Sequence, residues 1–293
     1  MIANLLSIVS PVAICAAIGF FWEKWIRPID KEFITGLVMF VGAPCLIIDT
    51  FVRAQLDVAL VVDYGGVVLL AFVLMAAVGK LSLLLFGLKD NAYLVAACFP
   101  NTGNMGLPLC LLAFGETGLA YALIIFVISA LLQFTFGLYL MQAVRPMRQM
   151  LRSPIIHAAW IALLLLYTGW QMPAWAAHTV QMLGAISIPL MLITLGSTLA
   201  QLKIQRLKPA LRIAAVRIGI GLAVAVGVTH MMGVTGTARS ALIVQLSMPV
   251  AVFNYLLAIR YSRRVDDLAG SVVVSTLIAV LSVPLVLTFL AGP

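Results

Sequence analysis

Charge is what this chain has least of. Asp, Glu, Lys and Arg make up 10% of its 293 residues, against 63% hydrophobic, and the mean hydropathy is +1.15. So apolar a composition excludes a soluble domain and places the chain among polytopic membrane proteins. No soluble-looking stretch exceeds a loop, so one membrane bundle fits better than the two domains that length alone suggests. Cysteine is scarce as well. Cys15, Cys45, Cys98 and Cys110 all lie in apolar segments, without metal spacing or a disulfide framework, and read as small core residues. His157, His178 and His230 fall near segment ends, so no histidine relay is supported. H-E-x-x-H, G-x-S-x-G and paired acid-rich motifs are missing, which leaves no basis for an enzyme, a cofactor or a metal site. The N-terminus has no basic stretch before its first apolar run and no small-residue cleavage site, and reads as a retained first helix.

Long apolar runs remain. Spanning a bilayer takes roughly 20 apolar residues, and ten segments meet that length: 3–22, 33–53, 59–86, 91–114, 118–141, 154–170, 177–201, 210–231, 237–259 and 268–290. An even number puts both termini on one side. Of 18 Lys and Arg, 16 fall on odd-numbered connections, leaving only Arg53 and Arg239 on the other side. Odd connections are then cytoplasmic and both termini face outward. The same bias explains the net charge of +8 without any nucleic-acid partner.

Proline placement divides the chain. Pro11, Pro28, Pro44 and Pro100 are followed by Pro154, Pro173, Pro189 and Pro249 at offsets of 143, 145, 145 and 149. "SPVAICAA" at 10–17 opens one half and "SPIIHAAW" at 153–160 opens the other. The expectation is a first five-helix repeat over 1–141, a basic cytoplasmic linker over 142–153 that meets anionic lipid, and a second repeat over 154–293. Five helices per half is odd, so the copies run through the membrane in opposite senses. Inverted repeats of this kind mark secondary transporters, with the site near the midplane where the repeats meet.

The stretch "FPNTGNMGLP" at 99–108 breaks the fourth segment. Pro100 deprives the Ala96 carbonyl of its donor and Pro108 that of Asn104, while Gly103 and Gly106 add flexibility. Unpaired backbone at membrane depth persists only where protein or water satisfies it. The helix is expected to split around 100–104, and the amides of the second half-helix suit an anion. Asn101 and Asn104 offer neutral donors and acceptors on one face, either to a ligand or, in the blander reading, to the kink itself. In the partner segment "LSMPVAVFNYLLAIRY" at 246–261, Pro249 frees the Gln245 carbonyl, and Ser247 and Asn254 supply polar side chains.

Other polar residues read more plainly. Asp49 is an intramembrane acid near the outer end of its helix, either a coupling or gate residue or an interfacial group. Gln133 and Ser129 read first as interhelical hydrogen-bond partners, with Gln133 also a candidate gate residue. Thr194, Ser197, Thr198, Ser271, Ser275 and Ser282 read as packing residues. Arg217 is expected to snorkel to the cytoplasmic interface or to serve as a substrate counter-charge. Glu116 belongs to a turn, and Asp266 and Asp267 to a solvated loop.

"PNTGNMGLPL" resembles the Asn- and Gly-rich motif of the auxin efflux carrier family of permeases. "MPVAVFNYLLAIRY" is similar to that family's ninth helix, and "GAISIPLMLITLGSTLA" and "FGETG" fit it elsewhere, so the likeness covers essentially the whole chain. The family, with the plant PIN carriers and the bile acid/sodium symporters, implies an all-α membrane fold. It has ten helices in two inverted five-helix repeats, with broken helices 4 and 9 crossing. Pro100 and Asn101 match the family's crossover stretch, Pro249 matches the ninth-helix proline, and Asn254 lies at or beside a polar position there. The long cytoplasmic loop of the plant carriers is missing, and the chain resembles a short bacterial member of the inner membrane, a class whose substrates include malonate-type dicarboxylates. The resemblance implies an elevator-like carrier of a small organic anion, coupled to sodium, protons or neither, and a homodimer is compatible with it. Within this expectation the substrate- or ion-binding residues are Pro100, Asn101, Gly103, Asn104, Gln245, Ser247, Pro249 and Asn254. An anion channel or a transporter-like receptor are the competing readings, although no ring of charges or attached soluble domain accompanies them.

Overall fold

The structure is a computed structural model, and it describes residues 2–54, 57–142 and 151–291. Most of the expected linker, 142–153, lies outside the described residues. Among the described residues there is no strand; one isolated bridge aside, every element is helical. In chain order the helices are α1 (Ile2–Phe21), α2 (Lys31–Leu37), α3 (Ala43–Ala54), α4 (Val58–Leu85), α5 (Asn91–Cys98) and α6 (Leu107–Leu132). The second half adds α7 (Pro154–Thr168), α8 (Ala174–Ala185), α9 (Ser187–Gln201), α10 (Leu207–Met231), α11 (Gly236–Leu246), α12 (Val252–Arg260) and α13 (Val265–Ala291). Wide π-type turns extend or join several of them, at Trp22–Ile26, Val38–Gly42, Thr102–Gly106 and Gln133–Gly137.

By length and hydropathy, seven helical stretches among the described residues can cross a membrane, against the ten expected. The shortfall has a physical cause. The expected spans at 91–114 and 237–259 are each interrupted near their middle, and α7 stops after 15 residues. The second part of the span expected at 91–114 is merged with the one expected at 118–141 into the stretch Thr102–Leu140 of 39 residues, too long for one crossing at about 1.5 Å per residue. At Gly115 that stretch leaves helical geometry, with φ 65° and ψ −159°, a region that essentially only glycine occupies. The chain doubles back there, since Gly103 lies against the Phe126 ring and Gly118 against Phe114 and the Cys110 carbonyl. Arg53 at the end of α3 braces the turn, 3.6 Å from Glu116.

Two sets of helices pack among themselves. In one, α1 lies along α9, and α3 lies along α7 and α8. The α1–α9 contact is backbone to backbone: Gly19 meets the Ile193 carbonyl and Gly196 meets the Ala16 carbonyl, which a side chain at either glycine would block. Small residues of this kind are what membrane helices use to approach closely. In the other set, α10 packs on α4, α11 and α13, and α11 packs on α6. The outer surface is apolar, with Leu69, Val73, Leu281 and Leu285 exposed, and Trp25, Trp170 and Trp175 add exposed aromatic rings close to helix ends, as bilayer-facing surfaces do.

Polar ties concentrate at one end of the second set. Asp90 caps α5 through the Ala92 amide and accepts from Arg263 and Arg264 at 3.0 and 3.1 Å. Burial alone would raise its carboxyl, but the Ala92 amide and the two guanidinium groups hold it below the usual value. Asp267, expected in a solvated loop, is instead 2% exposed. Tyr93 donates to it at 2.6 Å and Arg206 approaches within 3.3 Å, because the first turn of α13 packs against α5.

Candidate functional site

Both interruptions occur where a proline removes a backbone donor, and each break satisfies the other. Pro100 and Val250 form an antiparallel bridge. The Asn101 amide donates to the Pro249 carbonyl at 2.8 Å, and the Ala251 amide to the Phe99 carbonyl at 3.3 Å. Asn254 Nδ2 donates to the same Phe99 carbonyl at 2.9 Å, and Asn254 Oδ1 accepts from Gln133 Nε2 at 2.6 Å. Ser275 Oγ accepts from the Val250 amide at 3.0 Å. Backbone that helices leave unpaired at this depth is thereby paired within the protein.

Beside the crossing lies a cavity of about 300 Å³. Residues 100–104 and 251–253 form one wall, with Phe126, Gln133, Phe134 and Tyr255. The opposite wall comes from the other set of helices: Lys31 and Thr35 of α2, Val38 and Met39 of the turn that follows it, Ile155 of α7, and Met191, Thr194, Thr198 and Gln201 of α9. The cavity therefore sits between the two sets. Two helix starts point into it, the turn at 102–106 and the first turn of α12. Among the described residues no backbone carbonyl accepts from the amides of Gly103, Asn104, Val252 or Phe253. Asn101 is 5% exposed, and its Nδ2 finds no acceptor among the described residues. Lys31 is the one charged side chain among the described lining residues. Free amides at helix starts, an unpartnered carboxamide and one ammonium group together favour negative charge. The Phe134 and Phe253 rings, 5.5 Å apart edge to face, supply apolar surface.

The profile of the membrane transport protein family matches residues 5–148 and 143–287, two stretches that meet at the linker. This chain belongs to the auxin efflux carrier family of membrane transport proteins. An uncharacterized transporter of Methanothermobacter thermautotrophicus is 26% identical over 265 residues, covering 87% of this chain and 88% of its own. A second uncharacterized transporter, from Methanocaldococcus jannaschii, is 22% identical over 304 residues, covering 96% of this chain and 97% of its own. The family's business is transport across membranes.

Within the carrier, Pro100, Asn101, Gly103, Asn104 and Gln133 line the cavity. Asn254 is wholly buried and joins the Phe99 carbonyl to Gln133. Pro249 contributes its carbonyl to the bridge. Gln245 and Ser247 lie behind the crossing, away from the cavity. Gln245 is fully buried against Gly106, and neither its carboxamide nor the Ser247 hydroxyl has a partner among the described residues. Asp49 is buried outside the cavity and pairs with Arg53 at 2.5 Å. Arg217 departs from both readings given to it: it neither snorkels nor lines the cavity but is 0% exposed in the core. Its position 10 residues past Leu207 puts it about 15 Å along α10, too deep for its side chain to reach the interface. Thr194 and Thr198, expected only to pack, stand on the cavity wall, with their hydroxyls bonded to carbonyls of their own helix.

Lys31, Thr35 and the aromatic residues of the cavity were not among the sequence candidates. Lys31 counted there only toward membrane orientation. Its neighbour Glu23, which accepts from the Ile29 amide and the Ser197 hydroxyl, interacts with it electrostatically.

Proposed function

We propose that this protein is a secondary transporter for a small organic anion, a carboxylate with an apolar body, which it holds at the crossing and moves by an elevator-like exchange of access. The reading is carried by one observation. Two helix starts with unsatisfied amides, and the unpartnered Asn101 carboxamide, face a cavity bounded by two separately packed sets of helices. Helix starts of this kind engage anionic groups in transporters built on broken helices. A carboxylate takes the Gly103, Asn104 and Asn101 donors, while its apolar part lies against Phe126, Phe134 and Phe253.

Counting α5 with the first part of α6, and α11 with α12, as broken crossings, and dividing α6 at Gly115, gives ten passes in two inverted repeats. The matched prolines support the repeat. α2–α3 and α8–α9 are both two-part helices whose second part begins just before a proline, Pro44 or Pro189. Lys31 and Gln201, beside the basic connections after α1 and α9, line the cavity, which supports a cytoplasmic opening with both termini outward.

The test is flux in proteoliposomes with radiolabelled malonate and a panel of short monocarboxylates. Saturable uptake with counterflow is expected for one of these anions, and Asn101→Ala abolishes it without lowering the melting temperature. Ohmic current without counterflow establishes a channel, and wild-type flux in Asn101→Ala removes the crossing as the site.

A further inference from the structure

Arg217 is the largest of the fully buried side chains. Its Nη1 donates to the Ala97 carbonyl and its Nη2 to the Leu246 carbonyl. Ala97 lies in the last turn of α5, and Leu246 is the last residue of α11. The guanidinium therefore bridges the carbonyl ends of the two half-helices whose breaks form the crossing. Helix ends of this polarity carry partial negative charge. No described carboxylate lies within ion-pair distance of Arg217, so the helix ends and their carbonyls are what its positive charge answers to. Gly221, one turn on in α10, faces the same point, and a Cβ there would overlap the Leu246 carbonyl oxygen and Arg217 Nη2.

In transporters with broken helices, carbonyl ends of half-helices and unwound carbonyls are where coupling cations bind. Coupling requires that such a cation exchange with solution. A guanidinium tethered to α10 does not exchange, and it stays protonated throughout the physiological range. We propose that Arg217 is a built-in cation. Its guanidinium fills the position between the Ala97 and Leu246 carbonyls that a coupling sodium ion would take, so the crossing is charge-compensated in every state without binding one. The proposal rests on the crossing being the transport site, but it concerns the face away from the cavity and its test reads no flux.

The test is the melting temperature of the purified protein in sodium chloride and in choline chloride of equal ionic strength. Wild type is expected to melt at the same temperature in both. Arg217→Ser is expected to melt lower by roughly 5 °C or more, since it leaves two buried helix ends uncompensated. Methylguanidinium chloride at non-denaturing concentration then restores most of that loss in Arg217→Ser and leaves wild type unmoved. A specific rise of wild-type melting temperature with sodium overturns the proposal, as does wild-type stability in Arg217→Ser or the failure of methylguanidinium to rescue it. If Arg217→Ser yields no folded protein, Arg217→Gln, which keeps an amide donor and removes the charge, decides. A lowered melting temperature supports the built-in cation, and an unchanged one overturns it. Lost or retained flux in Asn101→Ala bears on the anion site alone.

Discussion

On one side of the crossing, the turn at 102–106 and the first turn of α12 present amides to a cavity of about 300 Å³. On the other, the last turns of α5 and α11 present carbonyls to the Arg217 guanidinium, with Gly221 pressed against the same point. The two faces come from the same two breaks, yet one is open and holds only neutral donors, while the other is filled by a fixed positive charge. The difference teaches where exchange belongs. A fixed charge compensates the helix ends where they are negative, and open space is kept where they are positive, which is where the proposed anion would bind.

Substitutions on the filled side should act on folding. Gly221→Ala places a methyl on a backbone carbonyl that cannot move aside, and about 3 kcal/mol of stability, or a melting temperature lower by roughly 5–10 °C, is the expected loss. Gly219 in the same helix has open space around its Cβ position, so Gly219→Ala should hold or gain a few tenths of a kcal/mol from helix propensity, roughly up to 1 kcal/mol. Equal melting temperatures for the two variants would erase the contrast.

Between the faces sits Asn254. Asn254→Leu removes two hydrogen bonds, from Nδ2 to the buried Phe99 carbonyl and from Gln133 Nε2 to Oδ1, and should cost about 2 kcal/mol, whereas Gln133→Leu removes only the second and should cost about 1 kcal/mol. Chemical denaturation of both variants reads the difference, and a reversed order would mean that the carboxamide pair belongs to the open side. The smallest effect is expected at the rim. Lys31→Gln should raise KM for the proposed anion about 3- to 10-fold with kcat unchanged, since a half-buried charge beside Glu23 on the cavity wall adds uniform binding only. A fall in kcat of the same size would place Lys31 in the translocation step.

The crossing was legible in the sequence because proline and glycine act locally: Pro100 and Pro249 mark the breaks wherever the rest of the chain goes. Asn101 and Asn104 followed from their spacing to those breaks. Arg217 was misread because it adjoins the basic cluster Lys203–Arg212, and its depth becomes plain only once α10 is seen to start at Leu207. The cavity's far wall was not legible at all. Lys31, Thr35, Thr194 and Thr198 come from segments far apart in sequence and meet only through the packing of α1 on α9 and of α3 on α7 and α8. Span counting by length failed where the fold departs from uniform helices, at the two breaks, at α7 and at the Gly115 turn.

The reciprocal seating of Gly19 on the Ile193 carbonyl and Gly196 on the Ala16 carbonyl fixes the register of α1 and α9. A slip of one residue along either helix brings Ile18 or Phe20, Leu195 or Ser197 onto a backbone oxygen. These two helices are thus keyed together like a tongue in a slot. Together they make one rigid side of the cavity, to which α9 gives Met191, Thr194, Thr198 and Gln201.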